Sequence, residues 1–100
     1  MLYNVSCCMI KSFRHKGLEL FFQTGKKTGI KISHANRLSR QLARLNDARC
    51  WEDVNLPGWG LHLLSGKLNN HYSIIVNANW RLTFKFDNED VILLDYQDYH

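Results

Sequence analysis

Residues 80–86 constrain this chain more than any other stretch. Trp80, Leu82, Phe84 and Phe86 alternate with Arg81, Thr83 and Lys85, the two-residue period of a strand with one face buried. A one-residue slip would expose all four apolar groups, so the register is strongly specified. Arg81 is then expected on the open face, opposite the core. Residues 60–64, 72–76 and 91–96 are further strand candidates. Asn77-Ala78-Asn79 and Asp87-Asn88-Glu89-Asp90 are short turn sequences, so successive strands are expected to pair as an antiparallel meander. Ser65 to His71 is a longer loop.

Helices are expected in the first half. In residues 16–24, Leu18, Phe21 and Phe22 recur at helical spacing, with Gly25 as a stop. In residues 34–48, Ala35, Leu38, Leu42 and Leu45 form one stripe and Arg37, Arg40 and Arg44 the nearly opposite face. Ser33 is the expected N-cap. Residues 9–13 alternate as an edge strand, and Glu52-Asp53 begin a short helical turn before Pro57-Gly58. The fold class is α+β: two N-terminal helices on one face of an antiparallel sheet of about four to five strands, the other face free for a ligand.

Charge is unevenly placed. Lys11 to Arg49 holds ten Lys or Arg against Glu19 and Asp47, a net +8, and the remainder is net −4. A basic half suggests a polyanion, nucleic acid before membrane, although a merely solvated helix face carries the same residues. Cys7, Cys8 and Cys50 make no disulfide framework and fit a reducing cytoplasm. No apolar run is long enough to span a bilayer. Residues 1–8 are a candidate N-terminal extension, since Met9 opens the patterned domain, 9–100.

No metal, dinucleotide or nucleophile-elbow signature appears, and no cofactor is expected. His62, Arg81, Asp98, Tyr99 and His100 remain, a set suited to RNA cleavage without a metal. Histidine exchanges protons near neutrality, arginine holds phosphate with two hydrogen bonds, and an aromatic stacks a base. Each has a plainer alternative: a packed His62, an ion pair of Arg81 with Asp95 or Asp98, and a frayed chain end.

Met9-Ile10-Lys11-Ser12-Phe13, His15-Lys16-Gly17-Leu18, L-H-x-L-x-G at 61–66, S-I-x-V at 73–76, N-W-R-x-T-F at 79–84 and the terminal D-Y-x-D-Y-H resemble the HigB toxins of the RelE/ParE superfamily. The resemblance covers residues 9–100. It implies a ribosome-dependent endoribonuclease that cuts mRNA in the ribosomal A site. It also implies a HigA-like helix-turn-helix antitoxin, through which alone operator DNA is bound. His62, Asp98, Tyr99, His100 and Arg81 match the family's catalytic positions. Lys67 with Lys16, Lys26, Lys27, Lys31, Arg37, Arg40 and Arg44 would contact RNA and ribosome. Many relatives read L-K-G-x-R after the histidine; here Ser65 and Leu68 stand at the lysine and arginine positions. The rivals are a ParE-like gyrase poison and an attenuated RNA-binding relative.

Overall fold

The computed structural model describes residues 9–99, so the candidate extension over 1–8 and the terminal His100 lie outside the described residues. Two helices, α1 (Lys16–Thr24) and α2 (Ala35–Asp47), precede four strands: β1 (His62–Leu63), β2 (Tyr72–Asn77), β3 (Trp80–Asp87) and β4 (Asp90–Asp98). The strands pair antiparallel in the order β1-β2-β3-β4, the expected meander.

Gly25 ends α1 in the left-handed conformation at φ 82°, where a Cβ would be strained. His15 caps the other end, its Nδ1 accepting from the Leu18 amide at 3.0 Å. The Ala35, Leu38, Leu42 and Leu45 stripe is buried against Ile74, Val76, Leu82 and Phe84. Ser33 is not the N-cap of α2. The chain tightens first into a 3₁₀ turn (Ile32–His34), which puts His34 at the cap position with its imidazole turned inward.

The three arginines are not all simply displayed. Arg40 is exposed, but Arg37 is half-buried and donates to the Gly58 carbonyl at 2.9 Å and the Ile75 carbonyl at 3.2 Å. Buried Gln41 donates to the same Ile75 carbonyl at 2.8 Å. The β2–β3 register slips between Ile75 and Asn77, leaving that carbonyl open to α2. Arg44 donates to the Asp53 carbonyl at 2.8 Å.

Two irregularities place the strands. Val91 and Leu94 have odd spacing and would face opposite sides of a regular strand. A bulge with Leu93 at φ 57° restores parity, so Val91, Leu94 and Tyr96 all face the core. Residues 9–13 run parallel to β4 and touch it through two isolated bridges, Ile10 with Val91 and Phe13 with Leu94. Between the bridges the Ser12 hydroxyl accepts the Leu93 amide at 2.8 Å.

β1 is shorter than the expected 60–64. The register of His62 with Ser73 would put residue 60 opposite Ile75, yet the Ile75 amide donates to Trp59 at 2.7 Å. Gly60, at φ 58°, absorbs the slip, and an added Cβ there would meet the Ile75 side chain at 2.5 Å.

Candidate active site

On the face away from the helices, the sheet register aligns His62, Ser73, Thr83 and Asp95 in one row across all four strands. This face is not bare. Ser73 and Thr83 are buried, and Gln97 donates both to the Thr83 hydroxyl at 2.9 Å and to the Asp95 carboxylate at 3.1 Å. The result is a hydrogen-bonded polar floor beside His62. Sequence reading missed Gln97, although its cross-strand neighbour Arg81 already marked the face.

The loop after β1 folds tightly against it. The Leu64 amide donates to His71 at 2.8 Å and the His71 amide to Leu68 at 2.9 Å, enclosing a 3₁₀ turn (Gly66–Leu68). Gly66 and Asn70 take positive φ, which these residue types tolerate. This turn carries Lys67 back beside His62. The chain end arrives separately, held by the Tyr99 amide donating to Asn79 at 2.7 Å. Two segments distant in sequence, the β1 hairpin loop and the chain end, thus form one open cleft of about 360 Å³, lined by His62, Leu63, Leu64, Ser65, Lys67, Leu68 and Tyr99.

His62 is exposed, so its imidazole is presented rather than packed; the buried histidine of this hairpin is His71. Lys67 is the one lysine or arginine in the cleft wall among the described residues. Ser65 and Leu68 line the same cleft, so the two substituted positions face the ligand space.

Arg81 and Asp98 are not part of that wall. Arg81 lies on β3 opposite Ile75 and Gln97, and its guanidinium donates to the carbonyls of Ala78 at 2.5 Å and Trp80 at 3.2 Å. Asp98 is exposed at the end of β4, opposite Trp80. Lys16, Lys26, Lys27, Lys31, Arg40 and Arg44 are all exposed.

A second titratable cluster lies elsewhere, between the helices and the sheet. The Tyr96 hydroxyl and His34 Nδ1 are 2.6 Å apart, and the hydroxyl accepts the Lys31 amide at 3.4 Å. Burial, then the Lys31 charge, holds His34 below the usual histidine value. Burial raises Tyr96 above the usual tyrosine value, against a smaller lowering by the Lys31 amide. A hydrogen bond between the Tyr96 hydroxyl and a neutral His34 imidazole suits both shifts. Trp80 packs edge-on against His34, with ring centroids 5.7 Å apart.

Helices on one face of an antiparallel meander and a histidine–lysine–tyrosine cleft at the sheet's edge define a small α+β protein of the RelE-like toxin architecture. Residues 11–100 match the model of the RelE-like toxin of type II toxin-antitoxin system HigB, and the chain belongs to that family. It is 41% identical over 92 residues to Endoribonuclease HigB of Proteus vulgaris, covering 92% of this chain and all of that one. Toxin HigB-1 of Vibrio cholerae serotype O1 is 35% identical over 94 residues, covering 92% of this chain and 98% of its own. As a toxin of a type II system, the protein is one half of a pair with an antitoxin.

Proposed function

We propose that this protein is a metal-independent, ribosome-dependent endoribonuclease of the cytoplasm that cleaves mRNA in the A site and stops translation. The observation that carries this reading is the convergence of His62 and Lys67, from the β1 hairpin, with Tyr99, from the chain end, on one open cleft. The relative from Proteus vulgaris, named an endoribonuclease, supports it.

In the proposed reaction a base removes the proton of a 2′-hydroxyl, and that oxygen attacks the adjacent phosphorus. The bond to the 5′-oxygen breaks, and an acid protonates the leaving oxygen. A 2′,3′-cyclic phosphate and a 5′-hydroxyl result. His62, Asp98 and His100 share the two proton transfers. Lys67 holds the phosphate as charge builds on it, and Tyr99 stacks or orients a base. Arg81 joins by exchanging the Ala78 and Trp80 carbonyls for phosphate oxygens. The exposed basic groups of the first half dock on ribosomal RNA. The partner that silences the protein is a HigA-like helix-turn-helix antitoxin, which also carries any contact with operator DNA.

Translating ribosomes mixed with the protein should yield new mRNA ends inside the A-site codon, mapped by primer extension. His62→Ala should reduce their rate of appearance by about 10²–10⁴-fold. Because His62 is exposed, the variant's melting temperature should match the parent's. Growth arrest with intact message would instead indicate a gyrase poison. RNA binding without cleavage or arrest would indicate an attenuated relative, the reading that Ser65 and Leu68 favour.

A further inference from the structure

The hairpin of His62 carries a second imidazole that the reaction above leaves unused. The Leu64 amide donates to the His71 carbonyl at 2.8 Å, which extends the β1–β2 pairing beyond His62 with Ser73. His71 is therefore diagonally across from His62, a relation that sets Cα atoms about 7–8 Å apart. Their surroundings differ: His62 is exposed, whereas His71 is 8% exposed. His71 Nδ1 lies 3.3 Å from the Asn69 carbonyl, which can only accept, so a neutral imidazole carries its proton on Nδ1. Nε2 then holds a bare lone pair. It is buried and has no hydrogen-bond partner among the described residues. A buried polar atom left unpaired is costly, so a native fold keeps one only for a reason, and proton transfer is one such reason.

We propose that His71 joins His62, Asp98 and His100 in the proton transfers, as a base kept under the 65–70 loop until RNA binds. A backbone carbonyl orients the ring through Nδ1, and the opposite nitrogen is left to take a proton, the arrangement of a general base. Its cover is light. Ser65, Gly66, Lys67, Asn69 and Asn70 are exposed, and among the described residues every hydrogen bond of this loop is made within the hairpin. Lys67 rides on the loop, so a phosphate that draws Lys67 toward itself draws the cover with it. With the loop displaced, Nε2 takes the proton of the 2′-hydroxyl and that oxygen bonds to phosphorus. The 5′-oxygen leaves with a proton from an acid of the cleft, and the imidazolium then returns its proton to water. Charged and titratable groups reach this part of the face from each element around it: His62 from β1, Lys67 from the loop, Lys85 from β3, Asp95 from β4 and Tyr99 from the chain end. A pH profile reports on all of them, so the test compares variants. The proposal rests on the reading of this cleft as an RNA-cleaving site.

The test uses the full-length protein with translating ribosomes, scored by primer extension for new mRNA ends. His71→Asn keeps an N–H for the Asn69 carbonyl but has no basic nitrogen. It should lower kcat by about 10²–10⁴-fold with KM little changed, and flatten the acid limb of the pH–rate profile. A second measurement does not depend on any variant folding. In the unaltered protein, imidazole nitrogen NMR should show the His71 proton on Nδ1. The Nε2 signal should then move when a single-stranded RNA with a 2′-deoxy nucleotide at the cleavage position is added. A parent-like kcat and pH profile in His71→Asn would overturn the proposal. A loss of rate that leaves the profile's shape unchanged would also overturn it, and would make His71 a structural support of the loop. So would a His71 nitrogen indifferent to RNA. Cleavage that needs His62 but not His71 sinks this proposal alone, whereas a parent that cuts no message sinks the reading of the cleft and this proposal with it.

Discussion

At the scale of single residues, the most informative side chains are those at positions 65 and 68. Both line the His62 cleft, and neither carries charge, so Lys67 alone among the described residues supplies a fixed cation there. Restoring cations by Ser65→Lys together with Leu68→Arg should tighten RNA binding and speed cleavage. The slope of log affinity against log salt should steepen by about 0.7 for each additional phosphate neutralised, measured in a salt titration with single-stranded RNA. His34 makes a different prediction. Its folded pKa lies below the usual 6.5, so on acidification the unfolded chain takes up this proton first. The stability linked to neutral His34 is therefore present above pH 6.5 and lost as pH falls below it. Urea unfolding at about pH 7.5 and about pH 5 should show that loss, and His34→Gln should reduce it.

At the scale of elements, α2 is held to the sheet by more than its apolar stripe. Gln41, fully buried, and Arg37 both donate to the Ile75 carbonyl exposed by the β2 irregularity. Gln41→Ala removes a buried donor and leaves a void, so it should cost about 2–3 kcal/mol in denaturant unfolding. Arg40→Ala, on the same helix but exposed, should change stability by less than about 0.5 kcal/mol. The bulge at Leu93 shows how far pattern reading reaches. Residues 91–96 are readable as a strand, yet Ile92-Leu93-Leu94 does not alternate, and only the bulge makes Val91 and Leu94 share the core face. The shortening of β1 has a similar source. The slip at Gly60 depends on where the Trp59 carbonyl meets β2, a contact between segments distant in sequence.

At the scale of the whole molecule, charge is segregated along the chain, with +8 over residues 11–49 and −4 beyond them. If the basic half docks on ribosomal RNA, Lys26→Glu with Lys27→Glu should weaken ribosome binding and flatten its salt dependence. Co-sedimentation with ribosomes over a salt series would measure both effects. Both lysines are exposed, so the melting temperature should stay near the parent's.

The sequence by itself determined the element order, the meander, the core face of β3 and the helical stripe buried against it. These follow from periodicity, which is local and survives without knowledge of neighbours. It also singled out His62, Lys67 and Tyr99 as members of one site, without the shape of the cleft that holds them. Tertiary structure alone decided that Lys67 folds back beside His62 and that Arg81 turns toward the Ala78 carbonyl. It also decided that Arg37 clamps a strand carbonyl while Arg40 stays in solvent. Such outcomes depend on which backbone carbonyls a bulge or turn leaves unpaired. That is a property of segments brought together across the chain, and no periodicity encodes it.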